Sequence, residues 1–353
     1  MMAEVFQHPA ASARARCIKA QLLSRADWHT LLSMPDLASA LGALVRTSYG
    51  AGLALDLARG GALPFLRAVE HALHVSALNA FVKLVRFVRG DSRALINVLA
   101  HKYELYNIKK ALRRLSQPER RAHHLATDDY ALGPCALLPA MQWERLASTN
   151  DLGRALERTY LGEAFRLGLA AFSEAHDLLP FECALEKRYL QELAQCARRV
   201  AGPDGALLLP LVANYLDEAC LAALVRLRFQ HGLENEAVFP LLPLEGCSRM
   251  TEALFWRLAG ARAMDECCAQ LRGERPWRAL ARETYAETLH ALRAERQQLC
   301  RRAFVRATPL SLAPVVAFAF AKEQEVRDLI TLLQSKRLNL PLEPSRCIRA
   351  EAA

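Results

Sequence analysis

The sequence predicts an all-α protein, and three observations carry that prediction. Ala and Leu dominate a hydrophobic share of 52%, β-branched patterning is sparse, and Arg and Glu are frequent, a mixture that favours helix over sheet. Capping signals followed by apolar residues at helical spacing recur along the chain. Two short signatures also repeat at intervals near 110 residues, both with helical periodicity. No segment shows the alternation of a half-buried strand. At 353 residues and 24% charge, the chain can bury a substantial core and is not broadly disordered.

In chain order, Ser24-x-x-Asp27 and Ser33-x-x-Asp36 each place a cap oxygen and a first-turn carboxylate ahead of an apolar run. Ser116-Gln117-Pro118-Glu119 has the form of a capping box, and Ser148-x-x-Asp151 follows the same logic. Between residues 283 and 304, Tyr285, Leu289, Leu292, Leu299 and Phe304 predict one long, half-exposed helix. Breaks are expected near 60–61, 133–134, 202–205, 240–246 and 273–276, where Gly and Pro gather. The longest uncharged runs, 130–143 and 307–321, contain prolines and fall short of the roughly 18–20 residues a membrane span needs. Residues 1–13 lack the basic start and apolar block of a secretory signal. Any work at a membrane is therefore expected to be peripheral.

The first signature is Trp28-x-x-Leu31-x-Ser33-x-x-Asp36-Leu37-x-x-Ala40-Leu41. It recurs with seven spaced identities from Trp143 through Leu156, an offset of 115, and more faintly from Phe255 through Cys268, a further 112. The second signature, Glu104-x-x-Asn107-Ile108-x-x-Ala111-Leu112-Arg113, recurs as Asp217-x-x-Cys220-Leu221-x-x-Leu224-Val225-Arg226 and as Glu325-x-x-Asp328-Leu329-x-x-Leu332-Leu333-Gln334. Its offsets are 113 and 108. Two independent signatures with similar spacing imply three related helical units, spanning about 1–140, 141–247 and 248–353, the third the most diverged.

The repeated acids sit in an unusual place. At about 100° per residue, Glu104 lies on the same stripe as Ile108 and Ala111, Asp217 with Leu221 and Leu224, and Glu325 with Leu329 and Leu332. A carboxylate on an apolar stripe needs donors, because burying it alone costs several kcal/mol. Arg113 and Arg226, nine residues on, face the opposite side of their helix, so the donors are expected from neighbouring helices. The sharper reading is a repeated hydrogen bond or ion pair that fixes how each unit packs, and the plainer one is a solvated stripe-edge acid.

Catalytic and metal chemistry is not signalled. There is no phosphate-binding G-x-x-x-x-G-K-[ST], no G-x-G-x-x-G after a strand, no H-E-x-x-H and no G-x-S-x-G. His123-His124 reads as a solvated turn, and Asp128-Asp129 and Glu323-Gln324-Glu325 lack convergent His or Cys. The ten cysteines form no zinc spacing and read as core or incidental residues. No enzyme activity, cofactor or metal is expected. A net charge of +9 suits an acidic partner, but the Arg pairs are scattered over solvated helix faces.

The ordered set of these segments resembles the C-subunit family of V/A-type ATPases, whose eukaryotic member is named d. The similar stretches are 14–24 with Leu31-Leu32 and 41–49, then 102–113, and finally 321–330 through Lys336 and Leu340-Pro341. Two positions depart from the family pattern: Cys220 stands where Asn is usual, and Gln334 where Arg is usual. The resemblance implies a funnel of three pseudo-threefold helical units acting as a non-catalytic central rotor part. It would couple the D and F subunits of the central stalk to the membrane proteolipid (c/K) ring for ATP-linked proton or sodium transport. It also implies a peripheral place on the cytoplasmic face of the membrane. A helical scaffold unrelated to ATPases is the alternative, and a basic nucleic-acid-binding regulator a further one, against which the scattered charge and missing recognition helix count.

Overall fold

The computed structural model describes residues 9–50, 52–53, 65–116, 129–143, 145–200, 202–342 and 347. All regular structure among them is helical, with no strand. The main helices are α1 (Pro9–Lys19), α2 (Arg25–Ser33), α3 (Leu37–Leu44), α4 (Phe65–Val85), α5 (Gly90–Ser116), α6 (Thr149–Leu156), α7 (Gly162–Ala175), α8 (Leu178–Arg199), α9 (Gly202–Leu224), α10 (Glu252–Ala259), α11 (Met264–Gly273), α12 (Tyr285–Arg306) and α13 (Ala313–Arg337). Short helices precede a long pair three times over: α4 and α5, α8 and α9, α12 and α13.

Ser24 and Ser148 form full capping boxes with Asp27 and Asp151. Ser33 does not cap a helix; it closes α2, and Asp36 itself caps α3 by accepting from the Ser39 N–H at 2.8 Å. Ser116 ends α5, where its hydroxyl donates to the Leu112 carbonyl at 2.6 Å, and the rest of that motif lies outside the described residues. His123-His124 and Gly60-Gly61 lie outside them too. The break expected at 202–205 is instead the first turn of α9: Gly202, its first residue, takes φ +69°, a left-handed conformation that glycine adopts freely, and the helix runs on from there.

The chain divides into two units. Unit 1 comprises residues 1–96, 123–134 and 297–353. Its centre is α13, against which α1, α3 and α4 pack. Every residue from Ala313 to Ala321 is buried, so most of the apolar run expected at 307–321 is core helix. The Arg16 guanidinium donates to the Phe304 and Ala307 carbonyls, both at 3.0 Å, and so satisfies the C-terminal end of α12.

Unit 2 comprises residues 97–122 and 135–296. Here α7 packs on α6 and α8, and α8 packs on α9. The α7–α8 approach depends on Gly168, where a Cβ would stand 2.1 Å from the Phe181 ring. That ring meets Phe165 edge to face at 4.9 Å. Residues 202–230, which are α9 and the π-helical turn after it, form the one described helix long and apolar enough to cross a membrane. Its apolar window is 61% buried, and the buried Asn214, Asp217 and Glu218 along it all have partners inside the unit, as expected of a core helix.

Candidate functional site

The three repeated acids are the most completely buried charged groups among the described residues: Glu104, Asp217 and Glu325 are each 0% exposed. Each is bonded to the few residues that lead into a copy of the first signature. Glu104 on α5 accepts from the Leu137 N–H at 2.6 Å and the Leu138 N–H at 2.8 Å. Asp217 on α9 accepts from the N–H groups of Ser248, Arg249 and Met250 at 3.0, 2.9 and 3.2 Å. The Ser248 hydroxyl adds a bond of 2.7 Å and the Arg249 guanidinium one of 3.3 Å. Glu325 on α13 accepts from the Leu23 N–H at 2.7 Å, the Tyr49 hydroxyl at 2.8 Å and the Lys322 ammonium at 3.3 Å.

The register is the same in all three. Leu23, Leu138 and Met250 each stand five residues before the aromatic that opens the signature, Trp28, Trp143 or Phe255. Amides just ahead of a helix have no intrahelical acceptor, and a carboxylate can take two or three of them at once. The acid of one copy therefore holds the entry of the next, and Glu325 returns to the entry of the first. The donors differ from the sequence expectation: most are backbone N–H groups of irregular segments, not side chains of neighbouring helices.

Electrostatics separate the sites. Burial pushes the Glu104 carboxyl up to about 7, against the opposing pull of its two amide bonds. One turn earlier on α5, burial lowers His101 to about 4, so its ring is neutral. Its Nε2 lies 2.8 Å from the Cys135 carbonyl oxygen, which requires the hydrogen on Nε2. The ring stacks on Tyr160 at 5.7 Å. The Tyr160 hydroxyl is held well above its ordinary value by burial first and then by the charges of Glu104 and Glu192. In unit 1, the Lys322 ammonium lies 3.8 Å from the Tyr49 ring centre while donating to Glu325, so cation and phenol are held together on one acid.

The remaining signature residues do separate work. Arg113 makes a two-pronged contact with Glu182 on α8, both bonds at 2.5 Å. Arg226 reaches Glu186 on the same helix at 2.7 Å, and Lys109 binds that carboxylate too. Burial alone would raise Glu186, but Lys109 and Arg226 outweigh it and hold the group below its ordinary value. Gln334, at the third equivalent position, donates to Glu70 on α4. Asn107 and Cys220 are buried, and Asp328 accepts from Gln324 at 2.7 Å.

Several partners escaped the sequence reading: Tyr49, Glu182, Glu186 and Arg249. Two further repeated patterns mark the neighbourhood. Cys135-x-x-Leu138 precedes Trp143 as Cys247-x-x-Met250 precedes Phe255. Thr47 and Thr159, 112 residues apart, each donate to the carbonyl three residues back, Leu44 or Leu156, at 2.6 and 2.7 Å. Three residues after each threonine, Gly50 and Gly162 sit so close to backbone carbonyls that a Cβ would stand 1.9 and 2.6 Å from the nearest. No group of three or more His, Cys, Asp or Glu placed to hold a metal occurs among the described residues. A fully buried carboxylate bonded to the backbone N–H groups of another segment holds that segment in place.

Residues 11–345 match the family model described as ATP synthase (C/AC39) subunit. The C subunit of the A-type ATP synthase of Methanocaldococcus jannaschii is 23% identical over 368 residues, covering 99% of this chain and 87% of that protein. Its counterpart in Methanosarcina barkeri is 23% identical over 344 residues, covering 94% and 90%. That of Methanosarcina acetivorans is 24% identical over 282 residues, 77% of this chain and 74% of the relative.

Proposed function

Since this chain belongs to the ATP synthase (C/AC39) subunit family, we propose that it is a non-catalytic rotor part seating the central stalk, built by the D and F subunits, on the proteolipid ring. On this reading it lies on the cytoplasmic face of the membrane and transmits torque in ATP-linked proton or sodium transport. Its body is three pseudo-threefold units, about 1–140, 141–247 and 248–353, forming a funnel like that of the eukaryotic d protein. The family match displaces the alternative of an adaptor unrelated to ATPases.

The observation that carries the proposal is the set of three buried acids, each holding the entry of the next copy and the last returning to the first. A torque coupler has to resist shear between its parts. Buried, charge-assisted bonds to backbone amides are short, directional and costly to leave unmade, which suits that task better than apolar contact, which is non-directional. The test is a pull-down of the tagged protein from detergent-solubilised membranes. Stalk and ring proteins in constant ratio are expected, and recovery of the protein without either would overturn the assignment.

A further inference from the structure

The positive charge of this protein is unevenly placed. Unit 1 holds 20 Lys and Arg against 13 Asp and Glu, and unit 2 holds 26 against 24, so most of the net +9 belongs to unit 1. Within unit 1 it gathers at two helix ends. The turn from α4 into α5 exposes Lys83, Arg86, Arg89 and Arg93, with Asp91 the one acid between residues 71 and 103. The last turns of α12 expose Arg301, Arg302 and Arg306, and no acid occurs between Glu295 and Glu323. Arg16 and Lys19 of α1 join that second end, Arg16 through its carbonyl bonds and Lys19 at 4.5 Å from the Phe304 ring centre.

Both ends also present an apolar side chain to solvent among the cations: Phe87 is 43% exposed and Val305 84%. On α12, Arg301, Arg302, Val305 and Arg306 share an arc of about 140°, while Cys300, Ala303 and Phe304 face the interior. Cations are favoured at any helix C-terminus by the helix dipole, which accounts for one or two of them. It does not account for the exposed Phe and Val. The corresponding turn of unit 2 is built differently: the place of Phe87 is taken by Arg199, which is bonded to Glu192 at 3.4 Å. Basic side chains interleaved with exposed apolar ones suit a surface that is anionic at its face and apolar just beneath. An acidic protein or a nucleic acid would use the charge and leave the apolar tips unexplained.

We propose that these two basic, apolar-tipped helix ends of unit 1 dock on an anionic phospholipid surface. The proposal rests on the rotor reading only in that the reading supplies a nearby membrane.

The test is vesicle flotation of the full chain with phosphatidylcholine alone and with phosphatidylcholine–phosphatidylglycerol mixtures. Binding to the anionic vesicles only, weakening with added salt, is expected. Each cation near such a surface is worth about fivefold in affinity. The combined variant Arg86→Gln, Arg89→Gln, Arg302→Gln and Arg306→Gln is therefore expected to lose well over tenfold, and Phe87→Ser with Val305→Ser severalfold. An equal charge loss in unit 2, Arg158→Gln, Arg166→Gln, Arg275→Gln and Arg278→Gln, should leave binding near wild type. Circular dichroism and melting establish that each variant is folded, and the Phe87/Val305 pair provides a second route should the arginine variant unfold. Equal loss in both arginine variants, or equal binding to neutral vesicles, overturns the proposal. If the wild type recovers stalk and ring proteins but ignores anionic vesicles, the rotor reading stands and the lipid proposal falls. If it floats with anionic vesicles but recovers no such proteins, the reverse holds.

Discussion

Glu104 and Asp217 occupy the same position in two copies of one signature, are equally buried, and hold the same kind of segment, yet they are bonded differently. Asp217 gathers three amides, a hydroxyl and a guanidinium. Glu104 has two amides and, among the described residues, no bonded cation, and burial lifts its carboxyl to about 7. A buried carboxylate is held as an anion only to the extent that donors replace the water it gave up. The contrast separates two properties of the repeated acid: its geometric duty, common to both sites, and its electrostatic support, which differs between them. Of the two, the Asp217 site is the firmer brace.

The largest expected effect breaks that brace. Asp217→Ala leaves three amides and the Ser248 hydroxyl without their acceptor and takes from the Arg249 guanidinium one of its two carboxylates, and a loss of about 3–5 kcal/mol is expected in urea unfolding. A loss under about 1 kcal/mol would mean that the bonds of Asp217 do not fix the segment. Removing the cation alone should do less. Arg249 is 18% exposed and bridges Asp217 to Glu295, the latter at 2.8 Å. Arg249→Leu keeps every amide bond, so a loss of about 2 kcal/mol is expected by the same measurement.

How far this was readable from sequence differs between the two halves of each contact. The acids were readable because α5, α9 and α13 are long and regular, so counting by 100° puts Glu104, Asp217 and Glu325 on their apolar stripes. Their partners were not, because a backbone N–H belongs to almost every residue and no pattern marks which one will lack an acceptor. Tyr49 donates to an acid 276 residues away, a pairing that only the folded chain reveals. Ser33 shows the local limit: it has the spacing of a cap, but Asp36 takes the role because α2 runs through Ser33 before the chain turns. The roles of Arg113 and Arg226 were half readable. Their direction away from the acids follows from the helix, whereas Glu182 and Glu186 on α8 could be found only in space.

The weaker brace makes a prediction of opposite character, in pH. The Glu104 carboxyl moves from its ordinary 4.5 to about 7 on folding. Between those values the folded protein keeps a proton that the unfolded chain has released, so this group's contribution is complete below about pH 4.5 and is lost as pH rises through 7. Glu104→Gln cannot titrate, and its amide nitrogen cannot accept, so one of the two N–H groups goes unbonded at a cost of about 1 kcal/mol. Urea unfolding at intervals from pH 5 to 8 should therefore show the wild type losing stability relative to the variant as pH rises. Parallel curves would show that Glu104 does not titrate in that range.

The smallest effects come from two tyrosines, and they distinguish bonded support from mere proximity. The Tyr49 hydroxyl donates to Glu325, whereas the Tyr160 hydroxyl, although it feels the charge of Glu104, has no hydrogen-bond partner among the described residues. Tyr49→Phe removes one donor from a buried carboxylate and should cost about 1–2 kcal/mol. Tyr160→Phe removes a hydroxyl that is already unsatisfied, so its effect should lie within about 0.5 kcal/mol of zero or be stabilising. Stability toward urea at neutral pH reads both. If Tyr160→Phe costs as much as Tyr49→Phe, its hydroxyl bonds Glu104 in solution, and the Glu104 site is better supported than two amides alone.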